Sequence, residues 1–236
     1  MILSFIVPLY NEEARIRGAV RKIFEFQKKL PAGSEWIFVD DGSTDDTEVI
    51  ARQELGAMPY RWVKFDSNQG KGAAVRAGIL EAKGDFIFFT DADLSTPLDE
   101  YEKLLKAMKN SSDLAIGSRA LPDSRILLRQ SWVRETMGKI FNRIATLLTF
   151  KGISDSQCGF KGFRREAAKK LFGLQKIKRF SFDAEIVYLA QRLGLRVAEV
   201  PVTWINSPES RVRKIQDSLN MLFDLFRIRW LHRDLE

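Results

Sequence analysis

The sequence predicts an α/β fold whose mostly parallel central sheet is flanked by helices, and three observations carry that expectation. Short apolar runs alternate with segments of helical periodicity through the first half of the chain. At 236 residues, with 45% hydrophobic and 29% charged residues, the chain is long and apolar enough for one large domain and is not disordered in type. Two carboxylates, Asp91 and Asp93, follow directly on the apolar run Phe86 to Thr90, at the strand end where open α/β sheets bind their ligands.

Taken in order, Ile2 to Val7 reads as a buried strand closed by Pro8, and Ile16, Ala19, Ile23, Phe24 and Leu30 then recur at helical spacing. Trp36 to Val39 is the second strand. The polar turn Asp40 to Thr44 follows it, and Asp45 and Asp46 enrich the first turn of a helix running to about Leu55. Tyr60 to Phe65 alternates as a third strand, and the glycine-bearing loop Asn68 to Gly72 opens a helix over Ala73 to Ala82. After the fourth strand, Thr96, Pro97, Leu98 and Asp99 predict an N-cap with proline in the first helical position, for a helix ending near Lys109. Leu114 to Gly117 is the fifth strand. Right-handed crossovers then bring the turns after strands one, two and four to one rim.

That rim gathers Tyr10, Asn11 and Glu12 with Asp40, Asp41, Asp91 and Asp93. A lone DxD more often opens a loop and caps a helix, but three polar turns on one sheet edge form a site. Two hard oxygen donors, with Ser95 just beyond, suit Mg²⁺ or Mn²⁺ with positions left for diphosphate oxygens and water. No GxGxxG follows the first strand, and Gly70-Lys71-Gly72 lacks the spacing of a Walker A loop. The latter lets the backbone approach a phosphate or simply makes a turn. The only histidine, His232, lies within the last five residues, which argues against a histidine-based metal site or dyad. The single Cys158 excludes an internal disulfide and fits a reducing compartment.

Charge divides the chain. Residues 1–118 hold 15 Lys and Arg against 19 Asp and Glu, whereas residues 119–236 hold 23 against 12. The basic half expects an anionic partner: a phosphorylated substrate, an acidic membrane surface or nucleic acid. Nucleic acid is disfavoured, because the acidic rim would repel phosphates and the DxD would be left without a role.

Ordered motifs add a resemblance. Ile6-Val7-Pro8-Leu9-Tyr10-Asn11-Glu12, Val39-Asp40-Asp41-Gly42-Ser43, Asn68-Gln69-Gly70-Lys71-Gly72, Thr90-Asp91-Ala92-Asp93-Leu94-Ser95 and Gly117-Ser118-Arg119 resemble the signature of family 2 glycosyltransferases with the GT-A fold. Asp155 to Lys161, Phe182 to Glu185, Glu199 to Val202 and Ser210 to Val212 extend it, and are similar to the dolichyl-phosphate sugar synthase branch. Within that branch the QCGFK segment is closer to the dolichyl-phosphate β-glucosyltransferases than to the mannose-phosphate synthases. The resemblance implies that Pro8, Tyr10, Glu12, Val39 and Asp41 contact the nucleoside and that Asp91 and Ala92 lie by the diphosphate, with Asp93 and Ser95 nearest the metal ion. Arg119 matches a cation that holds the lipid phosphate or the sugar diphosphate, and Arg211 stands where the family has a lysine in its mobile loop. Ile205 occupies a position where some members carry a further cation, and Arg129, Arg134, Arg213 or Lys214 are the candidates to supply that charge instead. The QxxRW motif of processive synthases is absent, which argues against polymer extension.

These readings predict an inverting transferase that moves a single sugar from a nucleotide diphosphate sugar, UDP-glucose before GDP-mannose, to a polyprenyl phosphate, with a divalent cation. Such an acceptor is already anionic and needs no general base. A saccharide hydroxyl, the acceptor of a soluble GT-A enzyme, would want one, and Asp183 or Glu185 would be the candidate. The opposing role for both is helix capping or pairing with Lys178 and Arg179.

The expected organisation is a catalytic domain over 1–212, with a nucleotide-sugar half (1–118) and an acceptor half (119–212), followed by an amphipathic helix over 213–236. No run reaches the 18 to 20 apolar residues, roughly, that span a bilayer. Met137, Ile140, Phe141, Ile144, Leu147 and Leu148 form one apolar face, and the tail sets Leu222, Phe223, Leu225, Phe226, Ile228, Trp230 and Leu231 around a polar stripe of Asp217, Asn220, Asp224 and Arg227. Such helices either lie in the headgroup region of a membrane or pack on the domain. A cytoplasmic protein held peripherally at a membrane is the expectation.

Overall fold

The most apolar runs become strands because the sheet they form is covered on both faces. The computed structural model describes residues 1–128, 132–206 and 216–235; the side chains at 133, 134, 139 and 216–219 stand outside that description. Strands β1 (Leu3–Leu9), β2 (Glu35–Asp40), β4 (Phe86–Thr90) and β5 (Leu114–Ser118) are buried almost throughout, while β3 (Arg61–Lys64) lies at an edge and is half-exposed. Helices α1 (Ile16–Gln27), α2 (Thr47–Leu55), α3 (Lys71–Glu81) and α4 (Tyr101–Asn110) supply the crossovers.

The second half adds β6 (Arg125–Leu128), α5 (Trp132–Leu148), β7 (Phe160–Arg164), α6 (Arg165–Leu174), α7 (Phe182–Arg192), β8 (Val197–Pro201), β9 (Thr203–Ile205) and α8 (Gln216–Leu231). The main sheet runs β3-β2-β1-β4-β7-β5-β8, and all its pairings are parallel except those of β7, which runs antiparallel to both β4 and β5. The mostly parallel expectation holds. The antiparallel insertion was not foreseen, because Phe160-Lys161-Gly162-Phe163-Arg164 carries two cations and a glycine and lacks the look of a central strand. Its direction matters: β7 begins at the rim where β1, β2, β4 and β5 end, so residues 155–159 enter the sheet from the site side. A separate parallel ribbon joins β6 to β9.

Strand alternation sorts the core into two layers. Leu3, Phe5, Val7, Phe86 and Phe88 pack with α1, α2 and α4, whereas Ile6, Ile87 and Phe89 pack with α3, α6 and α7. On the first face stacked rings run across five strands, through Trp62, Phe38, Trp36, Phe5, Phe88 and Phe160.

Two expectations need correction. The predicted cap at Thr96 is not made: Pro97 is extended (φ −55°, ψ 140°), no side chain caps the turn, and a single 3₁₀ turn over Leu98–Glu100 precedes α4. The apolar face proposed for residues 137–148 divides, with Phe141 and Ala145 buried and Ile140 and Leu147 exposed. In α8, Leu225 and Ile228 are wholly buried and Asp224 is largely covered, while Phe223, Phe226 and Trp230 face outward. Apolar residues on both sides allow this helix to pack on the domain with one face and expose aromatic rings with the other.

Candidate active site

The parallel order of β2, β1 and β4 delivers three turns to one rim, and hydrogen bonds lock them together. The Asn11 N–H donates to Ser43 Oγ (2.9 Å), the Thr44 N–H to Asn11 Oδ1 (2.8 Å), and the Glu12 N–H to Thr47 Oγ1 (2.6 Å). Glu12 in turn holds Arg15, whose Nη2 is 2.8 Å from its Oε1 and whose Nη1 is 3.8 Å from Asp93 Oδ2. Asn11 (φ +52°) and Leu94 (φ +48°) both sit in the left-handed region. Such strain, about 1–3 kcal/mol per residue, collects at functional turns.

Asp41 is buried and fully engaged: Oδ1 accepts the Gln69 N–H (2.7 Å), and Oδ2 accepts the Gly70 N–H (2.9 Å) and Asn68 Nδ2 (2.8 Å). Burial pushes its carboxyl up, the backbone donors pull it back, and the net direction is upward. It thereby fixes the loop that presents Lys71, whose Nζ lies 2.6 Å from Asp91 Oδ1. Burial alone would lower the Lys71 ammonium, but Asp91 and Asp183 outweigh it and hold the pKa above its usual value.

Asp91 and Asp93 follow β4 in a tight turn in which the Leu94 N–H donates to the Asp91 carbonyl at 3.0 Å. Asp93 Oδ1 accepts the Ser95 N–H at 2.9 Å. Burial and then the charge of Asp91 raise the Asp93 carboxyl, and the nearby cations, Lys71 on Asp91 and Arg15 at 3.8 Å from Asp93, do not bring it back. A divalent cation relieves that arrangement, and the donor set fits one. Among the described residues no group of three or more His, Cys, Asp or Glu is placed to hold an ion alone. The Asp91 carboxylate has room only because residue 159 is glycine: a Cβ there would stand 2.0 Å from Asp91 Oδ2.

Arg119, just past β5, is clamped by Asp155 through Nε (2.6 Å) and Nη2 (2.8 Å) and lies over the Trp204 ring at 5.5 Å. Burial pushes Asp155 up, Arg119 overrides it, and the carboxyl settles below the usual range. The Ile205 N–H donates to the Ser95 carbonyl at 2.8 Å, so the ribbon carrying Trp204 is tied to the turn carrying Asp93.

Asp183 is buried and paired with Lys161, itself wholly buried and donating to the Cys158 carbonyl at 2.6 Å. Burial dominates and raises the Asp183 carboxyl despite Lys161 and Lys71. The partners weighed from sequence, Lys178 and Arg179, are therefore not the ones it uses. Glu185 instead accepts backbone N–H groups of Lys176 and Ile177 and faces His232.

Asp91, Asp93, Ser95, Lys71, Glu12, Asp41 and Arg119 thus converge on one rim with Asp183 beneath it. Tyr10 is exposed at the rim, Pro8 is half-buried in register with Val39, and Val39 and Ala92 are buried, supporting the turns from within the core. Arg129, Arg211, Arg213 and Lys214, and the side chain of Arg134, lie outside the described residues. Asp155, Gly159 and Lys161 stand within a motif but have no role assigned by the sequence; a lysine inside the apolar Phe160–Phe163 stretch is the available signal. Nothing in the sequence paired His232 with Glu185.

The family model described as "Glycosyl transferase family 2" matches residues 4–172. The relative named dolichyl-phosphate beta-glucosyltransferase from Dictyostelium discoideum is 36% identical over 97% of this chain and 74% of its own length. That of Homo sapiens is 36% identical over 96% of this chain and 74% of its own. A crystal structure of glucosyl-3-phosphoglycerate synthase from Mycobacterium tuberculosis, in complex with Mn²⁺, UDP and phosphoglyceric acid, superposes with a TM-score of 0.68 at 20% identity, covering 100% of this chain and 79% of that one. At that identity the superposition speaks for the fold.

Proposed function

The chain belongs to glycosyl transferase family 2, and from that premise we propose that it moves one glucose from UDP-glucose to a polyprenyl phosphate of the dolichyl class, with inversion at the anomeric carbon. The relatives named for this activity support the sugar and the acceptor. The observation that carries the reading is Arg119, clamped on Asp155 and stacked on Trp204, which is itself in register with Ile126 of β6, where Ile126, Leu127 and Leu128 are exposed. A fixed guanidinium next to exposed apolar side chains suits a phosphate that carries a prenyl tail.

On this reading residues 1–118 hold the donor and residues 119–212 the acceptor. Lys71 and Arg119 screen two anions that would otherwise repel, and orient the acceptor oxygen towards the sugar. That oxygen is already charged, so no base is needed; Asp183, engaged by Lys161, serves to hold the floor of the site. Asp93, beside Asp91, would hold a divalent ion, which when bound would stabilise the charge on the leaving diphosphate. Among the described residues no helix is long and apolar enough to cross a membrane. The outward faces of α5 and α8 carry Trp132, Ile140, Leu147, Phe223, Phe226 and Trp230, with Arg143, Arg227 and Arg229 exposed among them. This combination suits an anionic bilayer surface and supports our reading of a protein held peripherally at the membrane that holds its lipid, on its cytoplasmic side.

The test is a transfer assay on the full chain with labelled UDP-glucose or GDP-mannose, a short polyprenyl phosphate or a saccharide acceptor, and Mn²⁺ or chelator. Glucose should reach the prenyl phosphate only with the metal present. Preference for GDP-mannose, or for a saccharide hydroxyl, rejects the proposal.

A further inference from the structure

A continuous set of hydrogen bonds joins the C-terminal helix to the turn that carries Lys71. His232, one residue beyond α8, is 2% exposed, and its Nε2 lies 2.7 Å from Glu185 Oε1. A carboxylate only accepts, so Nε2 carries the proton. Glu185, wholly buried in the first turn of α7, also accepts the Lys176 N–H at Oε1 and the Ile177 N–H at Oε2, each at 2.9 Å. Helix α8 holds the same segment a second time, through Lys176 Nζ on the Leu231 carbonyl at 2.6 Å.

Residues 175–178 in turn lie directly on the glycine turn. Gln175 Nε2 donates to the Gly72 carbonyl (2.9 Å) and the Ala73 N–H to the Lys178 carbonyl (3.0 Å). No slack separates the two: a Cβ on Gly70 would stand 2.5 Å from the Lys178 oxygen, and one on Gly72 would stand 2.9 Å from the Ile177 oxygen. Lys71, between those glycines, reaches Asp91.

We infer that His232 and Glu185 are positioning residues for Lys71: through residues 175–178 they set where the Lys71 backbone sits, and so couple the seating of α8 to nucleotide-diphosphate binding. This rests on the donor site proposed above. Packing alone does not require the arrangement. An apolar pair would fill the space without desolvating a carboxylate, whereas only a fixed acceptor can hold two adjacent backbone N–H groups in one orientation.

The experiment measures UDP binding with Mn²⁺ by calorimetry on the full chain, and transfer kinetics where transfer occurs, with thermal melting as the check on folding. His232→Phe keeps the ring and removes the donor; it should weaken UDP binding about tenfold, the loss expected of a hydrogen bond to a charged group, and raise the donor KM with the acceptor KM unchanged. His232→Gln restores an N–H and should recover most of the affinity. His232→Phe in a Lys71→Ala background should cost nothing further. Lys176→Met alters an exposed side chain, leaves the backbone N–H on Glu185 in place and cuts only the tie to Leu231; it should weaken UDP about threefold even if His232→Phe fails to fold. Additive losses in the double variant, equal changes in both KM values, or unchanged UDP affinity in His232→Phe and Lys176→Met overturn the inference. A wild type that binds UDP without transferring glucose sinks the proposed function while these binding measurements still decide the coupling; a wild type that binds no UDP sinks both.

Discussion

Gly159→Ala tests the site through a single methyl group. The new Cβ would stand 2.0 Å from Asp91 Oδ2 and 2.4 Å from its Cγ, where 3.4 Å is an ordinary contact. Gly159 does not have a positive φ, so alanine costs no backbone strain. The half-exposed Asp91 side chain yields first, retreating by roughly 1–1.5 Å and stretching its 2.6 Å pairing with Lys71. A displacement of about 1 Å at a reacting centre costs on the order of 10²-fold, or about 2.7 kcal/mol of barrier. Stability should change by less than about 1 kcal/mol, because a flexible side chain absorbs the clash. Initial rates of glucose transfer to a short polyprenyl phosphate, with a melting curve for each variant, make the measurement. In an Asp91→Ala background the same change should cost almost nothing more. Wild-type kcat/KM in Gly159→Ala, or a rate loss matched by a fall in Tm, would refute the reasoning.

Two further outcomes follow from the charges at the rim. Asp93→Asn should abolish transfer yet raise the Tm of the metal-free protein at neutral pH by about 2 °C. The Asp93 pKa is raised in the fold, so its stabilising contribution belongs to low pH and is lost as pH rises through the raised value; a lower Tm would count against the repulsion with Asp91. Arg119→Ala should raise the acceptor KM more than the donor KM and destabilise the protein most at neutral pH. The depressed pKa of Asp155 gives stability that is present above the ordinary carboxylate range and lost as pH falls through the folded value. The gap from wild type in urea unfolding should therefore narrow towards pH 3, and a constant gap would discount the ion pair.

The strands after which the rim turns sit were legible because a doubly covered sheet demands unbroken apolar runs, and Ile2 to Val7, Trp36 to Val39 and Phe86 to Thr90 supply them. Glu12, Asp41, Asp91 and Asp93 were legible for a related reason: each follows its strand within a few residues, so one topological rule brings them together. The roles of Asp155, Gly159 and Lys161 were not legible, because they depend on β7 running antiparallel between β4 and β5.

By itself, then, the sequence determined which segments are buried and which polar turns end them, because burial and backbone geometry act over a few residues. The tertiary structure alone decided who meets whom across long separations: Arg119 with Asp155, Lys161 with Asp183, Glu185 with His232, and which faces of α5 and α8 stay outside. A carboxylate or a cation is satisfied by any partner of opposite sign that packing brings within about 3 Å, and that choice belongs to the assembled fold.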